Sequence, residues 1–292
     1  MSARGWLALT VRLHVDDRPR LEGLFTEWET LGLVEEDTGA RNLEQITAHF
    51  STGDVGQATL ERMCRGELVS PPFAHRVDWR VEPLADQHWV EQAREFFTGI
   101  RICDRLSVLP PWAPDDHPLA GAPITLRIDP GMAFGTGTHE STRLMLGWLV
   151  DLVEGGGSVL DLGAGSAILS IAAARLGAGA IMAIEIDPEA EENARRNMAL
   201  NGVSDSVEYR IGDFARESLE PADLVLCNTL VEIFEPHLER LRDLTRPGGD
   251  LLLAGLLVID EAAVLEGLRA VGLEDTEVRR EGEWSSIHVR RR

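Results

Sequence analysis

The chain has 292 residues and a formal net charge of −21, and all 28 basic residues are Arg because the sequence contains no Lys. So acidic a surface argues against direct contact with nucleic acid, since phosphate contacts need a basic patch, and it would attract a basic protein partner. No apolar run approaches the roughly 20 residues of a membrane helix. Three widely spaced cysteines (Cys64, Cys103, Cys227) predict no disulfide framework, no zinc site and a reducing cytoplasm.

Residues 1–83 carry short alternating segments that predict a small domain of their own. Apolar residues at every second position predict a strand over 6–15, and helical spacing over 18–32 predicts a helix that ends at Gly32. The remaining predicted elements are strands near 33–36 and 44–51, a helix at about 54–66 and a strand at 76–83. This β-α-β-β-α-β order is that of a ferredoxin-like domain.

Residues 84–122 change character and are predicted to be a linker. A Trp-containing helix is expected at about 87–98. It is followed by LPPWAPDDHPLAGAP, which holds five of the 14 prolines and leaves little room for regular structure.

From residue 123 to 292 predicted strands alternate with predicted helices. The strands are ITLRI, SVLDL, AIMAIEI, SVEYRI, DLVLCN, DLLLAGLL and two at the end, and the helices span 139–153, 167–177, 188–201, 231–245 and 260–271. This alternation predicts an α/β fold in which helices cover both faces of a parallel sheet.

The glycine turn of this region follows a buried strand in VLDLGAGSA (159–167). Gly163 and Gly165 permit a tight turn and a close approach by a ligand. Ile168 departs from the dinucleotide fingerprint, and no Gly-Lys-Ser/Thr of a phosphate loop is present. Asp161 would repel a pyrophosphate but suits a ligand with an ammonium and a sulfonium, such as S-adenosyl-L-methionine. A generic Rossmann-type turn with an incidental Asp is the alternative.

Acidic residues follow the next two predicted strands. Glu185 lies about 20 residues beyond the turn, where ribose hydroxyls are bound in such folds. Asp187 competes for this role, but Pro188 after it favours a helix N-cap for Asp187. Asp213 is placed to reach an adenine amino group, although a plain turn aspartate fits it nearly as well.

The fourth predicted strand of this region ends at Asn228. An amide at this point can accept a hydrogen bond from an incoming amine, which makes Asn228 the candidate catalytic residue. The neighbouring Cys227 lies in an apolar strand with no partnered His and is interpreted as core.

Together these residues resemble class I methyltransferases, and within them the PrmA family, which methylates large-subunit ribosomal protein L11. The resemblance is carried by DPGMAFGTGTHESTRLML (129–146), VLDLGAGSAIL (159–169), AIEIDPEAEENARRN (183–197), DLVLCNTLVEI (223–233) and RPGGDLLLAGLL (246–257). It implies a Rossmann-like seven-stranded sheet preceded by a small ferredoxin-like domain, and it implies transfer of methyl groups from S-adenosyl-L-methionine to lysine and N-terminal amines.

The resemblance also implies roles for particular residues. Thr142, Gly163, Glu185 and Asn228 stand at the family's cofactor-binding positions. A lid over the methionyl part of the cofactor would be formed by Phe134, Gly135, Thr136, Gly137 and Thr138. His139 is either a proton acceptor or a residue that starts a helix.

Two residues depart from the family pattern. Ala167 stands where the family usually has Gly, and Glu185 replaces the usual Asp. Three alternatives remain at this point: a related enzyme that methylates another protein, such as an electron-transfer flavoprotein subunit, a non-catalytic cofactor-binding assembly factor, and a nicotinamide-dependent dehydrogenase. Asn228 and the lid motif disfavour the second, and Asp161 and Ile168 disfavour the third.

Overall fold

The computed structural model describes residues 6–28, 32–37, 42–51, 55–69, 73–84, 98–129, 137 and 139–292. It divides into two compact units, Met1–Phe96 and Phe97–Arg292. The helix predicted at 87–98 lies, except for its last residue, outside the described residues. No helix within the described ranges is long and apolar enough to cross a membrane.

The first unit is a four-stranded antiparallel sheet with two helices. Its elements are β1 (Trp6–His14), α1 (Arg18–Glu27), β2 (Gly32–Asp37), β3 (Leu43–Ser51), α2 (Gln57–Glu67) and β4 (Asp78–Leu84). The strand order β2-β3-β1-β4 is that of the ferredoxin-like arrangement. Alternate residues of β1, from Leu7 to Leu13, are buried in one core with Leu21 and Phe25 of α1 and Leu60 of α2. Gly32 does not end the first helix as predicted, because it pairs with His49 of β3 and opens β2.

The second unit begins with a small three-stranded sheet where the sequence pattern indicated a linker. Its strands are β5 (Ile100–Arg101), β6 (Leu106–Leu109) and β7 (Ile124–Arg127), in the order β5-β6-β7. Leu106, Val108 and Leu126 are fully buried in the core of the second unit. The Pro-rich stretch 109–123 itself holds little regular structure, as expected, since only a 3₁₀ turn at Pro118–Gly121 follows the end of β6. The strands β5 and β6 before it were not predicted, and ITLRI joins this sheet instead of the main one. β5 has only two residues and β6 is buried at every position, so neither shows the alternation that marks a strand.

The main sheet has seven strands in the order β10-β9-β8-β11-β12-β14-β13. The strands are β8 (Val159–Leu162), β9 (Ile181–Glu185), β10 (Val207–Ile211), β11 (Ala222–Asn228), β12 (Thr245–Leu257), β13 (Asp275–Glu281) and β14 (Trp284–Arg290). The first five in this order are parallel, whereas β14 runs antiparallel to both neighbours. The predicted α/β class with seven strands is confirmed. The order reverses between β8 and β11, which opens a crevice at their carboxyl ends.

Six helices accompany these strands. They are α3 (Glu140–Leu152), α4 (Ile168–Leu176), α5 (Ala190–Leu200), α6 (Val231–Phe234), α7 (Leu238–Leu244) and α8 (Glu261–Ala270). The single helix predicted over 231–245 is divided into α6 and α7 by a 3₁₀ turn at Glu235–His237. Pro236 lies in this turn and explains the division, because it has no N–H to continue a helix.

Candidate functional site

A cavity of about 420 Å³ lies at the carboxyl ends of β8 and β11. Its volume falls in the range of small-molecule sites, and the reversal of strand order is where such folds bind ligands. Its wall includes six of the predicted site residues: Thr142, Gly163, Gly165, Glu185, Asp213 and Asn228. It also includes residues that the sequence did not single out, among them Ile186, Phe214, Thr229, Leu230, Ile233, His237, Gly255 and Trp284.

The glycine turn after β8 adopts the conformation that the sequence predicted. Gly163 and Gly165 have positive φ angles of +74° and +50°. A Cβ atom on Gly163 would lie 2.4 Å from Cγ2 of Thr229, so only glycine fits there. Ala167 also has a positive φ, +63°, although it is not a glycine. A left-handed conformation costs a non-glycine residue roughly 1–2 kcal/mol, which explains why the family usually has Gly at this position.

Asp161, like Gly137, is a predicted site residue that the structure describes but that does not belong to the cavity wall. It is 1% exposed, and its Oδ2 accepts hydrogen bonds from the backbone N–H of Ser170 at 3.1 Å and from its hydroxyl at 2.6 Å. Burial raises the pKa of Asp161 to about 6, and the charge of Glu185 adds to this effect. Ser170 lies in the first turn of α4, whose N-cap Ala167 offers no side-chain acceptor. Asp161 therefore caps α4 from the neighbouring strand.

Glu185 connects the ends of two strands at the cavity. Its Oε2 accepts the N–H of Gly165 at 2.8 Å, and its Oε1 accepts the N–H of Asp187 at 2.9 Å. A carboxylate has about four lone-pair positions, so each oxygen retains capacity for a hydroxyl donor. The hydroxyl of Tyr209 donates to the carbonyl of Gly165 at 2.9 Å and holds the turn from the other side.

Asp187 is exposed and is not part of the cavity wall. Its Oδ1 accepts the N–H of Glu189 at 2.8 Å, and Glu189 is the N-cap of α5. The predicted N-cap is therefore two residues too early, although the side chain of Asp187 does cap the entry to the helix. Of the two competing acids, Glu185 is the one that reaches the cavity.

Asp213 follows β10 and is both a turn residue and a residue of the cavity wall. Its Oδ1 accepts the N–H of Ala215 at 2.8 Å, which makes it a turn residue, and its Oδ2 lies 3.4 Å from Nε of Arg216. It also contributes to the cavity wall beside Phe214, whose ring packs edge-on against His237 at 5.7 Å between centroids. Ile186 directly follows Glu185, and Phe214 directly follows Asp213. An apolar residue immediately after a predicted acidic site residue is therefore the sequence signal that could have identified these two cavity residues.

Asn228 is the last residue of β11 and faces Thr142 of α3. Its Nδ2 donates to Oγ1 of Thr142 at 3.4 Å, and Thr142 is 2% exposed. Because the amide nitrogen is used in this way, the carbonyl oxygen Oδ1 is the atom that Asn228 offers to an amine donor.

Thr229, next to Asn228, is enclosed by two glycines, one from the turn after β8 and one from β12. Gly163 lies against its methyl group, and Gly255 of β12 lies against its carbonyl, which a Cβ on Gly255 would approach within 2.1 Å. Gly255 has a φ of +84° and sits at a β-bulge where β12 shifts register against β14. An isolated glycine within a strand pattern signals such a close approach, and this is how Gly255 is detectable in the sequence.

His139 is the N-cap of α3. Its Nδ1 accepts the N–H of Ser141 at 3.3 Å, and its ring packs edge-on against Trp284 at 4.4 Å between centroids. Burial lowers the pKa of the His139 imidazole. The helix-start interpretation is thus correct, and His139 also lines the cavity.

Of the predicted lid, only Gly137 belongs to the described residues, whereas Phe134, Gly135, Thr136 and Thr138 lie outside them. Gly137 is buried with a φ of +86°, and a Cβ there would lie 3.0 Å from Cδ1 of Ile168.

Cys227 is fully buried, and this burial raises the pKa of its thiol to about 12. A thiol with so high a pKa is a poor nucleophile, in agreement with its interpretation as core.

Comparison with known proteins identifies the family. A family model described as ribosomal protein L11 methyltransferase (PrmA) matches residues 7–292. A ribosomal protein L11 methyltransferase from Pelobacter propionicus is 34% identical over 98% of this chain and 97% of its own length. One from Geotalea daltonii is 35% identical over 92% and 88%, respectively. The solved structure of a ribosomal protein L11 methylase from Lactobacillus delbrueckii subsp. bulgaricus matches 67% of this chain and 100% of its own, with a TM-score of 0.62 and 26% identity. The chain belongs to the PrmA family of ribosomal protein L11 methyltransferases.

Proposed function

We propose that this methyltransferase transfers methyl groups from S-adenosyl-L-methionine to lysine side-chain and N-terminal amines of ribosomal protein L11. The observation that carries the proposal is the cavity at the reversal of strand order, where Glu185, Asp213 and Asn228 meet the glycine turn. Its residues fit the cofactor, because two glycines of the turn line the cavity and a buried carboxylate stands at the end of the next strand.

Each part of the cofactor has a matching part of the wall. The carboxylate of Glu185 accepts hydrogen bonds from the ribose hydroxyls. Ile186 and Phe214 provide apolar surfaces for the adenine, and Asp213 accepts a hydrogen bond from its amino group. Thr142, which accepts a hydrogen bond from Asn228, is assigned to the methionyl end, and the family resemblance assigns the lid over it to residues 134–138.

Positioning and desolvation account for the chemistry. When bound, the cofactor would supply an electrophilic methyl group, to which the lone pair of an amine would bond in line as the methyl–sulfur bond breaks and S-adenosylhomocysteine leaves. A lysine amine has an ordinary pKa of about 10.4 and an α-amine one of about 7.7–8.0, so each must lose a proton before it attacks. Transfer from water into a largely apolar cavity lowers the pKa of the amine. Oδ1 of Asn228 then accepts a hydrogen bond from the N–H of the amine, which directs the lone pair of the amine nitrogen towards the methyl group.

Residues 1–83 are proposed to recognise the protein substrate. They form the ferredoxin-like unit, and every residue assigned to the cofactor belongs to the second unit. The net charge of −21 attracts a basic ribosomal protein, and this attraction should weaken with ionic strength, since the screening length falls from about 8 Å at 0.15 M to about 3 Å at 1 M. A truncated chain that begins at Phe97 should bind cofactor but methylate the intact substrate poorly. Equal transfer by both chains, once cofactor binding is verified, would refute this role.

The decisive experiment is mass spectrometry of L11 after incubation with the full chain and isotope-labelled S-adenosyl-L-methionine. Because the enzyme contains no Lys, its own side chains contribute no methylated lysine to the spectra. We expect label on lysine and N-terminal amines of L11. Label on an electron-transfer flavoprotein subunit but not on L11 would assign the protein to another target, and cofactor binding without transfer to either would support an assembly factor.

A variant at the ribose position tests the site itself. Glu185→Ala should weaken binding of S-adenosylhomocysteine by ~1–3 kcal/mol, because the substitution leaves hydrogen-bonding partners unsatisfied. Asp187→Ala is the matched control at the competing acid two residues away. Calorimetry that finds the affinity unchanged in Glu185→Ala but reduced in Asp187→Ala would assign the ribose to Asp187.

A further inference from the structure

A cluster of two histidines and two aspartates lies in the first unit, apart from the proposed methyl-transfer site. It consists of His14 at the end of β1, Asp16 and Asp17 in the following 3₁₀ turn, and His75 in the segment before β4. One ligand atom from each of His14, Asp16 and His75 lies within 4.8 Å of the others. The imidazole rings of His14 and His75 are stacked, with centroids 4.0 Å apart and an interplanar angle of 25°.

We propose that His14, Asp16 and His75 bind a divalent transition-metal ion of the zinc type. Imidazole nitrogens and a carboxylate oxygen are ligands that Zn²⁺ takes, with ligand distances of about 2.0–2.2 Å. Two ligands around one tetrahedral ion are then about 3.3 Å apart. Nδ1 of His14 and Oδ2 of Asp16 are 3.2 Å apart, which is the spacing of two ligands on one ion. Nδ1 accepts the backbone N–H of Asp16 at 3.3 Å, and an ion would take the place of this hydrogen bond.

A second observation that points to a metal site is the contact between Asp17 and His75. Carboxylates commonly accept a hydrogen bond from the ring of a metal-binding histidine and so orient it, and Asp17 is placed to do this for His75. Its Oδ2 lies 3.0 Å from Nδ1 of His75, which fixes the proton on Nδ1 and leaves Nε2 as the ligand atom. Asp17 is only 5% exposed, and its two oxygens accept the backbone N–H groups of Ala74 and His75, each at 2.9 Å. The backbone that carries His75 is thus tied to the turn that carries Asp16.

The exposure of the side chains agrees with a site that is open to solvent. The exposed fractions are 23% for His14, 44% for His75 and 70% for Asp16, so an ion can enter and water can complete its coordination. Bound there, the ion would join the end of β1 to the segment that leads into β4. It would therefore stabilise the ferredoxin-like unit.

The test is calorimetric titration of the EDTA-dialysed full chain with ZnCl₂, together with thermal unfolding with and without the ion. We expect saturable binding of one ion with micromolar or tighter affinity, and a higher Tm in its presence, because an ion that binds only the folded chain stabilises it. His75→Ala and Asp16→Asn should each weaken binding at least tenfold. His117→Ala is the control, since His117 is partly exposed and caps a 3₁₀ turn in the second unit.

Asp17→Asn separates a metal site from a merely structural contact. It removes no ligand, yet it should weaken zinc binding by about 10–100-fold, as loss of an outer carboxylate typically does. Circular dichroism of each variant verifies the fold. Absence of saturable binding by the parent chain, or equal affinities in His75→Ala and His117→Ala, would overturn the proposal. Because neither readout measures methyl transfer, the result is independent of the proposed function.

Discussion

Replacement of Asp161 by Asn should change the pH dependence of stability in a defined direction. The carboxyl group is 1% exposed with a pKa of about 6, whereas its pKa in an unfolded chain is about 3.9. Between these values the folded state keeps a proton that the unfolded state has lost. The free energy of unfolding therefore falls as the pH rises through this window, and the full loss persists above about pH 6.

The size of the effect follows from the same pKa. At about 1.36 kcal/mol per pKa unit, ionised Asp161 lowers the free energy of unfolding by up to about 3 kcal/mol above pH 6. Asn at this position keeps a carbonyl oxygen for Ser170 but cannot ionise. Relative to the parent chain, Asp161→Asn should therefore gain about 1–3 kcal/mol between pH 4 and pH 7.

Urea unfolding at several pH values measures this difference for the ligand-free chain. A constant offset between variant and parent, caused for example by the new amide N–H₂, does not affect the slope. Asp205→Asn is the matched control, because Asp205 is exposed and the substitution removes the same charge. If the difference between Asp161→Asn and the parent stays flat across the window, the burial of an ionisable carboxyl is not what governs this position.

Three further substitutions test the cavity and its turn. Gly163→Ala should destabilise the fold by about 1–3 kcal/mol in urea unfolding, because its Cβ would collide with Thr229 at a φ of +74°; an unchanged midpoint would contradict this. Ala167→Gly relieves roughly 1–2 kcal/mol of backbone strain, but it removes a buried methyl group worth about 0.8 kcal/mol and raises the entropy of the unfolded chain at a cost of about 0.4–1 kcal/mol. The free energy of unfolding should therefore stay within about 1 kcal/mol of the parent value, and a larger change in thermal unfolding would refute this sum. Asn228→Ala should lower turnover at least about tenfold and leave the affinity for S-adenosylhomocysteine within about threefold, the pattern of an interaction made in the transition state; near-parental turnover would exclude the catalytic role.

The sequence predicted the main sheet well because its central strands are continuous apolar runs and its helices are periodic. The apolar runs that became β8, β9 and β11 are each buried and each end at a residue of the cavity or its turn. Which strands pair with one another could not be predicted in this way, because the local sequence pattern does not encode the pairing. The antiparallel insertion of β14 beside β12 and the separate sheet of β5, β6 and β7 depend on contacts between distant residues.

The candidate site shows the same division between local and distant information. Gly163, Glu185 and Asn228 were identified because they end strands, and the structure brings all three to one cavity. Asp161 occupies an equally suggestive position, yet its side chain turns to Ser170, because α4 lacks a capping side chain at Ala167. Gly255 lay outside the predicted set, since its importance comes from a backbone contact with Thr229 in another strand. The ligand contacts of these residues stay predictions until they are measured.

The enclosure of Thr229 has a consequence for redesigning the enzyme. Gly163 and Gly255 both lie against Thr229, the residue next to Asn228, and these contacts set the spacing between the glycine turn and the amide of Asn228. Neither glycine can be replaced without disturbing this spacing, because a Cβ atom at either position would collide with Thr229. We therefore expect that library mutagenesis around the cavity can reshape its rim while these contacts of Thr229 are kept. Leu230 and Ile233, which are 58% and 47% exposed and line the cavity, are the first positions to vary in such a library.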